Sequence, residues 1–340
     1  MGLYALVRPL LFRLDPEVAH ELTLNSIALV GRTHPLNQYV ADLWRAALPA
    51  RPVRTMGLVF TNPVGVAAGL DKDARAVDGL AMLGFGFLEL GTVTPLPQSG
   101  NPKPRMFRLT QDSALINRMG FNGAGLGEFL SRLSQASQQS IIGINLGRNA
   151  TTANEEAWRD YLTGLRAVYG VADYVSINIS SPNTQGLRDL QEQKSLDMLL
   201  ARLKQTQSEL ADQHGKYTPI VIKLAPDLDP EQLDQIAEAL IEREMDGVIA
   251  TNTTITRPSN LQSAQASGES GGLSGQPLAP MAIKIVSELR QRLPATMPVI
   301  GAGGIHDAAS AAAMLSAGAS LIQIYTGLIY RGPEIGRAHV

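Results

Sequence analysis

The sequence predicts an α/β fold, a (β/α)8 TIM barrel behind an N-terminal two-helix extension, and three observations carry that prediction. Eight short apolar runs recur along the 340 residues, most of them stopping at Gly, Asn or Thr. The runs are nearly continuous in apolar residues rather than alternating, which suits parallel strands covered on both faces. Stretches of helical period lie between them, and the repeat occupies roughly 270 residues, close to the ~250 usual for such a barrel. A doubly wound open sheet is the runner-up. It fits less well because no G-x-G-x-x-G follows the first strand.

Residues 1–50 precede the repeat and divide the chain into a helical segment, 1–50, and a barrel, 51–340. LYALVRPLLFRL (3–14) carries Arg8 and Arg13 and has no acidic residue before Asp15. In DPEVAHELTLNSIALVGR (15–32) Asp15 is placed to cap a helix and Pro16 to open it. Both segments are too short to span a bilayer, and their apolar faces suit lying in its interface. A helical cap packed on the barrel would show much the same pattern.

The barrel strands are expected within PVGVAAG (63–69), FGFLELGTV (85–93), IIGINLG (141–147), YVSINIS (174–180), PIVIKLAP (219–226), GVIATNTT (247–254), MPVIGAGGI (297–305) and LIQIYTG (321–327). The clearest helix is DPEQLDQIAEALIERE (229–244), with Asp229 as cap, Pro230 in the first turn and Ile236, Leu240 and Ile241 on one face. SLDMLLARLKQTQSEL (195–210) reads as a helix too, and DAASAAAMLSAG (307–318) runs from a capping Asp307 to Gly318. Two segments fall outside the repeat: 101–121, which reads as a hairpin over one mouth, and 255–272, a long polar loop. That loop is a surface insertion or a lid with equal warrant, and 183–194 is a second candidate lid.

Composition excludes several classes. Hydrophobic residues make up 44% and charged residues 18%, enough for a large core. A net charge of −2 leaves no footprint for nucleic acid. The absence of Cys removes disulfides, thiolate metal sites and a thiol base, and the five His include no H-x-x-x-H pair.

In such a barrel a ligand sits at the C-terminal ends of the strands. Those ends read Gly69-Leu70-Asp71-Lys72, Thr92, Asn145, Asn178 with Ser181 and Asn183, Lys223, Thr251-Asn252-Thr253, Gly303-Gly304 and Tyr325-Thr326-Gly327. Turn chemistry accounts for the glycines. It accounts poorly for Lys72, Asn145, Asn178 and Lys223, which stand inside or against apolar runs, and a lysine in VIKLAP is costly unless it meets an anion or a polar ligand. GAGGI and YTG offer bare backbone N–H groups after the last two strands, where barrels of this kind bind phosphate.

Taken together, AAGLDKD, ELGTVTP, LINRMGFN, INISSPNT, IATNTT, GGLSG and GAGGI closely resemble the membrane-associated, quinone-linked (class 2) dihydroorotate dehydrogenases, in the right order from about Leu14 to Pro333. The resemblance implies an FMN enzyme of pyrimidine biosynthesis, with FMN in the barrel mouth and ubiquinone or a related quinone as co-substrate. It implies that Gly304, Tyr325 and Thr326, with Gly275, hold the phosphate. Ala67, Ala68, Gly69, Leu70, Asp71 and Thr92 would line the flavin, Asn145, Asn178 and Thr251 would give polar contacts, and Lys223 would lie by its N1/C2 edge. The substrate would meet Asn117, Arg118, Met119, Gly120, Phe121, Asn178, Asn183, Asn252 and Thr253, with Lys72 on its carboxylate. Ser181 matches the family's base position, where relatives using soluble acceptors carry Cys. Thr184 and Phe121 would complete a proton relay through water. The N-terminal helices would form the quinone's tunnel and hold a monomer to the cytoplasmic face of the bacterial inner membrane.

Other readings compete. A 2-hydroxy-acid oxidase barrel would need a histidine base in an H-G-G context, and a tRNA-uridine reductase a catalytic Cys and a basic face. A non-catalytic phosphate-binding barrel explains the glycines and leaves Lys72, Ser181 and the asparagines without purpose. Two departures from the family pattern stand out: Gly123 where a second Asn is common, and a C-terminal GPEIGRAHV shorter than the expected last helix.

Overall fold

All eight apolar runs become parallel strands of one closed barrel. The computed structural model describes residues 3–33, 35–45, 51–137, 140–263 and 268–335. An antiparallel hairpin, β1 (Val53–Thr55) and β2 (Leu58–Phe60), leads into barrel strands β3 (Val64–Val66) and β4 (Phe87–Val93). An inserted pair, β5 (Met106–Leu109) and β6 (Ala114–Asn117), follows, and then barrel strands β7 (Ile141–Leu146), β8 (Tyr174–Asn178), β9 (Ile220–Leu224) and β10 (Gly247–Ala250). Strand β11 (Gly272–Gly275) precedes the last two barrel strands, β12 (Val299–Ala302) and β13 (Leu321–Ile324). The ring closes in the order β10-β12-β13-β3-β4-β7-β8-β9.

Period-two alternation sorts each strand's side chains into outward and inward sets. Outward residues such as Leu88, Ile144, Ile177 and Ile222 pack beneath the surrounding helices. The inward set begins with an apolar floor of Phe87, Tyr174, Val221, Ile249, Ile300 and Leu321, plugged by Phe60. The Phe60 and Phe87 rings meet edge to face at 5.3 Å. Gly65 and Gly143 are required here, since a Cβ would come within 2.4 Å of the Phe87 ring and 2.1 Å of Tyr174. Two residues further along the same strands stand Glu89, Asn145, Ser176, Lys223 and Gln323, all buried. The strands are apolar to the outside and along the floor, and polar one step below the mouth.

The predicted caps form. Asp229 and Gln232 make a reciprocal capping box before Pro230–Glu242, and Asp307 caps Ala308–Ser316. The expected 195–210 helix runs longer, from Gln193 to His214. The 101–121 insertion is a hairpin, but the polar loop read as 255–272 ends in a strand. Gly272–Gly275 pairs antiparallel with β6 and makes the insertion a three-stranded sheet. Residues 264–267 of that loop and 336–340 of the C-terminus lie outside the described residues.

At the N-terminus Asp15 accepts from the amides of Glu17 and Val18 and caps Pro16–Arg32 as expected. A third helix, Leu36–Arg45, joins Leu3–Leu11 and Pro16–Arg32. The helix Pro16–Arg32 crosses Val77–Ala81 closely enough that a Cβ on Gly79 would lie 2.2 Å from the Ile27 carbonyl oxygen. Glu17 pairs with Arg105 of the insertion at 2.7 Å, and Arg8 donates to the Tyr330 carbonyl. These helices are packed on the barrel, yet Leu6, Leu10 and Leu29 are 72%, 62% and 69% exposed. Among the described residues no helix is long and apolar enough to cross a membrane.

Candidate active site

The strand ends and the inserted sheet enclose one cavity at the barrel mouth. Its wall includes Ala67, Ala68 and Gly69 after β3, Thr92 on β4, Asn117 at the end of β6, and Met119, Gly120 and Phe121 after it. Ser181 and Asn183 follow β8, Lys223 lies on β9, and Thr251, Asn252 and Thr253 follow β10. Lys72, Gly275, Gly303, Gly304, Tyr325 and Thr326 complete the ring. Segments more than two hundred residues apart converge because every barrel strand points its C-terminus the same way.

The phosphate-type loops have a steric reason for their glycines. Gly304 sits at φ +75, and a Cβ there would strike the Ala279 backbone at 2.4 Å. Gly275, at φ +96, would strike the Ser113 carbonyl oxygen at 2.4 Å. The Ser274 and Thr326 hydroxyls, 2.8 Å apart, flank this cradle. The side-chain-free turns at Gly275, Gly303 and Gly304, facing Thr326 and Gly327, make a site suited to a phosphate monoester.

Behind the wall runs a polar network. Thr92 Oγ1 donates to Asn145 Oδ1 at 2.6 Å, and Asn178 Nδ2 reaches Thr92 Oγ1 and Asn145 Oδ1 at 3.1 and 3.2 Å. Asn252 Nδ2 donates to Asn178 Oδ1 and Ser180 Oγ. The side chains of Asn145 and Asn178 are therefore committed to the protein one layer back, and neither lines the cavity. Burial leaves each amide needing partners, and neighbouring strands supply them.

Four other expected contacts lie off the wall. Leu70 turns into a second cavity. Asp71 accepts the amides of Arg75 at 2.9 Å and Ala76 at 2.7 Å, shaping the loop that presents Lys72. Burial pushes its carboxyl up while those amides pull it down. Arg118 pairs with Glu269 at 2.7 Å and stacks over Phe107. Thr184 is buried, and its hydroxyl has no hydrogen-bond partner among the described residues.

Lys223, on the cavity wall, meets an anion inside the barrel. Its ammonium lies 3.3 Å from the Glu89 carboxylate, with side chains 6% and 0% exposed. Glu89, in FLELGTV, passed unnoticed in the sequence although it obeys the criterion that found Lys223, a charge inside an apolar run. Gln323, which lines the cavity, was missed because an amide in LIQIYTG is a weaker signal. Lys72 donates to the neutral Asn122 at 3.0 Å, and Asn183 donates to Asn117 at 3.1 Å.

The second cavity, about 580 Å³, lies under the N-terminal helices. Tyr4, Phe12, Ala19, His20, Leu24 and Arg108 line it, and Leu70 brings it up against the turn that bounds the first. Burial pushes the His20 imidazole down to about 4, helped by the Lys72 cation, so it is neutral at physiological pH. Arg108 stacks 4.9 Å above the Phe12 ring.

The family profile described as dihydroorotate dehydrogenase matches residues 52–338. The chain belongs to the dihydroorotate dehydrogenase family. The dihydroorotate dehydrogenase (quinone) of Idiomarina loihiensis is 52% identical over 338 residues, covering 99% of both chains. That of Aromatoleum aromaticum is 51% identical over 335 residues, covering 98% of this chain and 93% of its own. The crystal structure of the Eimeria tenella enzyme in complex with ferulenol superposes with a TM-score of 0.87 at 38% identity, covering 96% of this chain and 89% of that one. Its ligand-free form superposes at 0.82, covering 96% and 93%.

Proposed function

We propose that this protein oxidises (S)-dihydroorotate to orotate in pyrimidine biosynthesis, with FMN resident in the barrel mouth and a membrane quinone as final electron acceptor. The observation that carries the reading is one cavity on which Ser181, Lys72 and three asparagines face a cradle of side-chain-free loops. Family membership supports both the substrate and the quinone.

The residues present fit FMN. Gly275, Gly304, Tyr325 and Thr326 suit its phosphate, while Ala67, Ala68, Gly69, Thr92, Thr251 and Lys223 suit its ring. When bound, FMN supplies the acceptor for a hydride leaving C6 of the substrate. Lys72 provides a cation for the substrate carboxylate, and Asn117, Asn183 and Asn252 provide paired donors and acceptors for its amide edges. Met119, Gly120 and Thr253 close the pocket around it.

Ser181 takes the C5 proton. A serine hydroxyl is a poor base alone and must pass its own proton on as it accepts another. The partnerless Thr184 hydroxyl supports a relay through water to this loop, with Phe121 walling it from bulk solvent.

The division into an arm, residues 1–50, and a catalytic barrel, 51–340, follows the same reading. The apolar cavity is the quinone's path, and the exposed Leu6, Leu10 and Leu29 rest in the interface at the cytoplasmic face of the bacterial inner membrane. The protein acts as a monomer without nucleic acid.

The purified protein should be yellow. Its flavin absorbance should bleach anaerobically on adding dihydroorotate and return with a soluble quinone. Colourless protein would sink the cofactor assignment, and recovery with fumarate but not quinone would sink the acceptor. Ser181→Ala should slow flavin reduction by about 10²–10⁴ with FMN still bound, the range typical of a lost general base.

A further inference from the structure

Glu89 is a buried carboxylate that the proposed chemistry does not use. It stands on β4, two residues inside the barrel from the aromatic floor, with its side chain wholly enclosed. Four donors converge on it. Oε1 accepts from Asn145 Nδ2 at 2.9 Å and from Lys223 Nζ at 3.3 Å. Oε2 accepts from Tyr174 OH at 3.0 Å and from Gln323 Nε2 at 2.6 Å. The lysine makes the longest of these bonds, and the carboxylate has three neutral donors besides. Glu89 therefore neutralises only part of the Lys223 charge, while Lys223 and Gln323 both reach the cavity wall.

We propose that Glu89, held by Tyr174, Gln323 and Asn145, is a positioning residue that sets how much of the Lys223 charge a redox ligand in the mouth can use. The proposal rests on the reading that FMN occupies that mouth. In a water-excluded interior, a carboxylate one contact behind the cation lowers the potential the ligand experiences. Tyr174 belongs to this device, because burial, and then the Glu89 charge, push its phenol well up and keep it a donor. The fixed carboxylate also makes Gln323 point its Nε2 inward, which leaves Oε1 buried and without a partner among the described residues.

The test compares the midpoint potential of bound FMN, measured by dye equilibration, in the holo-protein and its variants. Glu89→Gln should raise the potential, increasing the reduced-to-oxidised ratio at fixed ambient potential about tenfold, or about 30 mV for a two-electron couple. Gln323 can turn its free Oε1 to the new amide, so the packing survives. Glu89→Asp keeps the charge and should stay near the wild type, which a merely structural role would not predict. Tyr174→Phe leaves the carboxylate less satisfied and should lower the potential slightly. An unchanged or lowered potential in Glu89→Gln overturns the proposal. If that variant loses flavin, an unchanged or raised potential in Tyr174→Phe overturns it instead. Lys223 labelling by acetic anhydride in FMN-stripped protein gives a reading without flavin, and should be several-fold faster in Glu89→Gln. Equal labelling counts against the proposal, whereas wild-type protein that never carries flavin counts against the functional reading.

Discussion

The Arg188 guanidinium lies 2.8 Å from the Asp227 carboxylate, and this ion pair fastens three of the loops around the barrel mouth. Arg188 also donates to the Ser180 carbonyl at 3.1 Å and to the Thr253 carbonyl at 2.9 Å. Asp227 in turn accepts from the Thr254 and Thr256 hydroxyls. The peptide bearing Ser181 is thus tied to the loops after β9 and β10.

Arg188→Met should release that tie. We expect about a tenfold fall in the rate of flavin reduction, with FMN retained, because a base displaced by about 1 Å loses much of its effect. Stability should drop by ~2 kcal/mol in urea unfolding, less than for a fully buried pair because both partners keep some exposure. Arg188→Lys should recover little, since an ammonium cannot span all three acceptors.

Thr184→Val separates chemistry from structure. The hydroxyl has no partner among the described residues, so a methyl of the same shape costs no hydrogen bond. Melting temperature should be unchanged or slightly higher. Flavin reduction should slow by about ten- to a hundredfold, as for weakened proton transfer. A wild-type rate would remove Thr184 from the relay.

Lys72 gives a pH signature. Burial, and then the Arg105 cation, push its ammonium down to about 8, against the pull of Glu17, Asp73 and Glu21. In the proposed site the substrate carboxylate pairs with the charged form, so kcat/KM should be flat below about pH 8 and fall above it. The linkage runs the other way for folding. Between that value and the usual lysine range the unfolded chain binds more protons, so the ligand-free protein gains stability as pH rises through this window. Lys72→Met should abolish the inflection and raise KM about ten- to a hundredfold, from the ~1.5–3 kcal/mol of a charge-assisted hydrogen bond.

Ala19→Phe should fill part of the apolar cavity. Reduction by dihydroorotate should keep its rate, while reoxidation by a long-chain quinone slows about tenfold. Stopped-flow measurement of the two half-reactions distinguishes them, and a slowed first half would mean that the cavity serves the barrel mouth instead.

What could be read in one dimension follows a simple rule. Strand and helix positions repeat with a local period, so the runs around Val64, Leu90, Ile144 and Ile222 and the caps Asp229 and Asp307 announce themselves. The convergence of Lys72, Ser181 and Asn252 was legible too, because a parallel barrel sends every strand's C-terminal end to one mouth. The Gly272–Gly275 strand was not, since its partner β6 lies about 150 residues away and its own four residues are half glycine.

The partners of buried polar groups were beyond reach for a related reason. Period-two alternation shows that Glu89, Asn145, Lys223 and Gln323 point inward, but not which of them touch. That depends on the stagger of the closed ring, which brings Lys223 to Glu89 across 134 positions of sequence and joins Asn178 to Asn145. A buried charge takes the partner that geometry brings within reach, and in this chain that geometry exists only once the barrel has closed.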